Sequence, residues 1–68
     1  MDIYISNKKF YAKCFSGEKE ISACIIPGLS YKIKKEEDNY VYLENVDSKS
    51  YIVVTHDMLY SSLFIKGE

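Results

Sequence analysis

The sequence has no tryptophan, no arginine and no glutamine, and it has a single proline and a single histidine. Without arginine there is no planar bidentate fork to grip a phosphate, a carboxylate or the edge of a guanine. All nine basic side chains are lysine, which offers a point charge on a flexible stem. With tryptophan and arginine both missing, any interface anchor has to come mainly from the seven tyrosines. No apolar run reaches the length of about 18 residues that a membrane-crossing helix needs. The opening MDIYISNKKF has no basic stretch followed by a long apolar one, so no secretory leader is expected and a cytoplasmic location is. Two cysteines, Cys14 and Cys24, are too few for a disulfide framework and read as plain buried thiols.

Sixty-eight residues make one domain. A chain of this size buries only about 60% of the surface its unfolded form exposes, so its stability is marginal. A hydrophobic content of 47%, a charged fraction of 28% and a net charge of −1 describe a folded domain and not a disordered tail. No segment carries apolar residues at helical spacing over three turns. Short runs rich in Ile, Val, Tyr and Phe, broken by Gly, Asn, Asp or Ser, predict an all-β fold. Strands are expected at 2–6, 9–15, 20–26, 31–36, 40–45, 50–54 and 62–65. Pro27-Gly28 is the strongest break, since proline lacks an N–H and glycine accepts positive φ. It separates an N-terminal hairpin region, 1–26, from 27–68 without making two domains. One short helical turn is expected near 55–60, capped by Thr55 and packed through Met58 and Leu59.

The segment KIKKEEDNYVYLENVDSKSYIVV, residues 32–54, can be given a register. A three-residue loop at Glu37-Asp38-Asn39, with Asn39 left-handed, sets Glu36 against Tyr40, Lys34 against Tyr42 and Lys32 against Glu44. Ile33 then meets Leu43, and Lys35 lies near Val41. A two-residue loop at Asp38-Asn39 would instead put Ile33 opposite Glu44 and Leu43 opposite Lys34, mixing charge into both faces. A turn at Asp47-Ser48 sets Leu43 against Ile52, Val41 against Val54, Tyr42 against Val53 and Glu44 against Tyr51. One face, Ile33, Val41, Leu43, Ile52 and Val54, is core. The other holds Lys32, Lys34, Glu36, Tyr40, Tyr42, Glu44, Tyr51 and Val53. Two readings of that tyrosine face stand side by side. Tyrosine suits a half-exposed strand, or the N-terminal hairpin covers it; alternatively it is a binding face.

Sequence signals for other chemistry are poor. A nucleophile pair of Cys14 or Cys24 with His56 has no local support. Cys14, Cys24 and His56 lack the close pairing of zinc ligands, and Glu36-Glu37-Asp38 lacks the alternating oxygens and the glycine of a calcium loop. No enzyme activity, cofactor or metal is expected. Single-stranded nucleic acid has ingredients in its favour, exposed aromatics with lysines. Against it stand an acidic pI of 5.8 and two glutamates on the same face. A homo-oligomer holding a nucleotide between tyrosines is a further alternative, although no phosphate loop is present.

From Pro27 onward the order of elements resembles the later strands of an SH3-like barrel. It is most similar to the small SH3-like proteins of bacteriophages that infect Gram-positive bacteria. The similarity rests on Gly28-Leu29-Ser30-Tyr31-Lys32-Ile33, on Tyr40 to Leu43 and on Asp57 to Phe64, and it covers about 40 residues. Tyr40 stands where a peptide-binding SH3 domain has tryptophan, and THDML has no proline, so the proline-peptide groove is not implied. The resemblance implies a small SH3-like open barrel, with residues 1–26 as an added hairpin, acting as a non-enzymatic protein-binding module. A phage-encoded modulator or inhibitor of a host protein is the role it suggests. The expected contacts are Tyr40, Tyr42 and Tyr51, with Lys32 and Lys34 fixing orientation, and a homodimer through the same face is a further expectation.

Overall fold

Alternation of buried and exposed side chains runs through the strands and sets which way each one faces. The computed structural model describes residues 2–67. In chain order the elements are β1 (Ile3–Ser6), β2 (Phe10–Ser16), β3 (Lys19–Ile25), β4 (Ser30–Glu36), β5 (Tyr40–Asn45), β6 (Tyr51–Thr55), α1 (His56–Leu59) and β7 (Phe64–Gly67). All strands join one antiparallel sheet in the order β3-β2-β6-β5-β4-β1-β7, which is not closed: β3 and β7 are its edges. The all-β class is as the sequence predicts, and each strand lies within a few residues of its expected place.

The sheet curls around its core. Phe10 in β2 and Phe64 in β7 lie near opposite ends of the strand order, yet their rings meet edge to face at 5.4 Å. Val41, Leu43, Ile52 and Val54 are fully buried at the centre, as their alternation predicts, and Tyr4, Tyr31, Ile25 and Leu59 close around them. Each such side chain contributes about 1.5–3 kcal/mol by leaving water. Ile33 packs against this cluster from its rim. The helical turn forms where expected: the Thr55 hydroxyl accepts from the Met58 N–H at 3.1 Å, and Leu59 seals the core.

The Pro27-Gly28 turn is pinned to β1 through buried Ser6. The Ser6 hydroxyl donates to the Ile26 carbonyl at 2.6 Å and accepts from the Leu29 N–H at 2.9 Å. The Gly28 N–H donates to the Ser6 carbonyl at 2.8 Å, with Gly28 at φ +98°, a conformation open to glycine.

Three features differ from the sequence expectation. First, residues 1–26 do not form one added hairpin, because β1 is separated from β2 and β3 in the sheet. β1 lies between β4 and β7, so the N-terminal residues divide: β2 and β3 pair with one another, and β2 continues the sheet beside β6. Second, the β4–β5 loop has two residues, Asp38-Asn39, closed by the Glu37 N–H donating to the Tyr40 carbonyl at 2.8 Å. Asn39 is not left-handed. Ile33 still meets Leu43, because a β-bulge at Lys34 absorbs the extra residue. Beyond the bulge the pairing shifts by one, so Lys35 lies opposite Tyr42 and Glu36 opposite Val41. Third, the β5–β6 loop is wider than a tight turn. Asn45 Oδ1 accepts from the Asp47 and Ser48 N–H groups at 2.8 and 3.0 Å, and Lys49 takes φ 62°. The β5–β6 register is nonetheless the expected one throughout.

Candidate binding face

The bulge decides which charges stand on the tyrosine face. It turns both Lys34 and Lys35 outward and sends Glu36 to the other side at the strand end. Lys34 Nζ lies 4.4 Å from the Tyr51 ring centroid and Lys35 Nζ 5.7 Å from that of Tyr42. Each contact contributes about 0.5–1 kcal/mol at an exposed site.

The N-terminal segment adds to this face, covering one side of Tyr51 and leaving Tyr40 exposed. Because β2 pairs with β6, Lys13 lies opposite Val53 and Phe15 opposite Tyr51. The Phe15 and Tyr51 rings stack at 5.0 Å and 11°. Tyr42 leans on Tyr51 at 5.8 Å and 45°. Tyr51 is thus held between Phe15, reaching over from β2, and Lys34, reaching from β4 on its other side. Tyr42, Tyr51, Phe15 and Val53 are half-buried, and Tyr40 is 49% exposed. An open groove of about 370 Å³ runs between Lys13, Phe15, Tyr40, Tyr42 and Val53.

Most of the charges are paired across the face. Lys32 meets Glu44 at 3.8 Å, Lys13 meets Glu20 at 3.8 Å and Lys35 meets Glu37 at 3.2 Å. Such exposed pairs contribute about 0–1 kcal/mol each and open readily. Among the described residues Lys34 has no carboxylate within 4 Å, and the group it caps is the Tyr51 ring. Glu37 also accepts from the Tyr42 hydroxyl at 3.3 Å. The charge of Glu37 is the main reason the Tyr42 phenol titrates above its ordinary 10.0, with partial desolvation and that hydrogen bond adding, and Lys35 opposing.

The five residues singled out in the sequence separate in role. Tyr40, Tyr42 and Tyr51 share the outer face, Lys34 caps a ring, and Lys32 is tied to Glu44. The structure adds Phe15, Lys13 and Lys35. At the far end of the face the character changes: a second depression of about 320 Å³ is lined by Asp38, Asn39, Tyr40, Thr55, His56 and Asp57. His56 Nε2 lies 2.9 Å from the Glu37 carbonyl and therefore donates to it, which ties α1 to the β4–β5 loop. Cys14 packs against the core, whereas Cys24, expected to be buried, is exposed on β3, where it lies opposite Tyr11. Among the described residues no group of three or more His, Cys, Asp or Glu side chains is placed to hold a metal ion. In comparisons with protein-family models, curated proteins and solved structures, nothing matches this chain.

Proposed function

We propose that this protein is a non-enzymatic binding module, an SH3-like open barrel that docks another protein onto the face built by Phe15, Tyr40, Tyr42 and Tyr51. The observation that carries the reading is the ring cluster itself. Phe15, Tyr51 and Tyr42 hold one another in place, so little side-chain entropy is left to lose on binding. They present a half-buried apolar surface with polar tips, and the paired lysines and glutamates around it form a rim that can exchange partners. Lys34, which is in none of the ion pairs on this face, supplies the charge that selects orientation.

Single-stranded nucleic acid fits this face less well. Base stacking needs a free aromatic face, and both faces of Tyr51 are occupied, one by Phe15 and the other by Lys34. A strand running along the groove would also meet Asp38 and Asp57 at its end, where a phosphate backbone is repelled. The phage resemblance extends the protein-binding reading to a small modulator of a host protein.

Affinity capture from lysate of the source cells, with the chain as bait, tests the reading. Tyr42→Ala is expected to weaken a captured protein, whereas Tyr60→Ala, an exposed tyrosine at the end of α1, leaves it unchanged. Equal capture by both variants would sink the tyrosine face. Salt-sensitive retention of a single-stranded oligonucleotide, abolished by Tyr42→Ala, would move the reading to nucleic acid.

A further inference from the structure

The edge strand β3 is left open over its whole length. It pairs with β2 without interruption from Lys19 opposite Ser16 to Ile25 opposite Phe10, with no bulge. Among the described residues no strand pairs with its other side. Natural edges are blunted by proline, bulges, inward charges or short length. β7, the opposite edge, is four residues long and carries Lys66, which is tied to Asp2 at 3.4 Å. β3 is seven residues long, holds no proline, and has its two charges, Lys19 and Glu20, together beside the hairpin turn. Ile21, in the middle of the strand, is 53% exposed.

The hairpin turn fixes which backbone groups are open. Gly17-Glu18 is a two-residue loop with positive φ at its first position alone, the pattern of a type II′ turn. Ser16 and Lys19 are then a hydrogen-bonded pair, and the alternation of an antiparallel ladder makes Cys14–Ile21, Ala12–Ala23 and Phe10–Ile25 hydrogen-bonded pairs as well. The N–H and C=O groups of Glu20, Ser22 and Cys24 therefore point away from β2, towards the open side.

We infer that β3 pairs antiparallel with β3 of a second copy, about a two-fold axis at Ser22. That register alone keeps all seven residues of both strands in the ladder while bringing the outward-pointing groups into register. Ser22 exchanges hydrogen bonds with Ser22, and Glu20 with Cys24. Between them Ile21 lies against Ala23 on each side of the axis, covering the exposed isoleucine. No like charges face one another, because Lys19 falls opposite Ile25 and Glu20 opposite Cys24. The contact is isologous and closes at two copies. A two-fold axis normal to the sheet also keeps the two aromatic faces on the same side, although the pairing does not depend on what those faces bind.

The test is the mass of the full chain in solution, by light scattering across a concentration series. Twice the monomer mass of 7.9 kDa is expected at high concentration. Ser22→Pro removes an outward N–H without touching the β2 ladder and is expected to return the mass to that of the monomer, with circular dichroism unchanged. Should that variant unfold, amide exchange in the unaltered chain decides: the Glu20, Ser22 and Cys24 amides gain at least tenfold protection as concentration rises. A chain that stays monomeric at the highest concentration, a mass that grows beyond two copies, a dimer unaffected by Ser22→Pro, or exchange of those amides independent of concentration would each overturn the inference.

Discussion

Neighbouring residues in β5 have opposite duties. Leu43 is fully buried against Ile52 and Val41, whereas Tyr42 stands on the outer face against Tyr51. Leu43→Ala therefore leaves a cavity in the centre of the core and is expected to cost about 2–5 kcal/mol, a large part of the stability of so small a domain. Tyr42→Ala is expected to cost about 1 kcal/mol or a little more, the scale of a lost aromatic pair. Urea unfolding of the two variants measures both, and an equal loss would contradict the assignment of faces. Tyr31 carries a further consequence. The residue is 2% exposed, and burial raises its phenol pKa above 10.0, with Asn45 partly opposing and Cys14 adding. The folded state thus holds this proton more tightly than the unfolded one. The stability it contributes is fully present below about pH 10 and is lost as pH rises from there through the raised folded value. Alkaline titration followed by tyrosinate absorbance is expected to show a late-ionising phase, since burial raises Tyr31 and Tyr4 alike, and Tyr31→Phe is expected to diminish it.

At the scale of elements, the bulge in β4 is the device that shapes the face. It reconciles a two-residue loop at Asp38-Asn39 with the pairing of Ile33 and Leu43, and it adds Lys35 to the tyrosines while removing Glu36. Deleting Lys34 leaves Ile33 followed by Lys35, opposite Leu43 followed by Tyr42, which is an ordinary antiparallel ladder. The deletion variant is expected to fold with the Ile33–Leu43 contact intact, readable as a cross-strand nuclear Overhauser effect. Loss of that contact would show that the extra residue sets the register and is not merely absorbed by it. The register of β5 and β6 was legible from Tyr40 to Val54 because apolar residues alternate on both strands and each mismatch would bury a charge. The bulge was not legible, since Lys34, Lys35 and Glu36 contain no apolar side chain to mark the phase after Ile33. Phe15 and Lys13 were missed for another reason. The alternation in KFYAKCFS places them together on one face, but the pairing of β2 with β6 is long-range and no turn residue announces it.

For the whole molecule, curling the sheet gives a short chain both an enclosed core and an outer face free for contact. The core is closed by Phe10 meeting Phe64, and α1 seals its end through Leu59. The outer face gathers aromatic rings from β2, β5 and β6 and lysines from β2 and β4. That gathering was only half visible in the sequence, which supplied the tyrosines and the strand order from 31 to 54 but not the neighbour of β6. The most direct measurement is the affinity of the captured partner for the unaltered chain, Tyr42→Ala and Tyr60→Ala, side by side, with circular dichroism confirming the fold of each. A tyrosine at the centre of a docking surface contributes about 2 kcal/mol or more, so Tyr42→Ala is expected to bind roughly thirtyfold more weakly while Tyr60→Ala binds as the unaltered chain does. Unchanged affinity for Tyr42→Ala, in a variant that remains folded, would contradict the account.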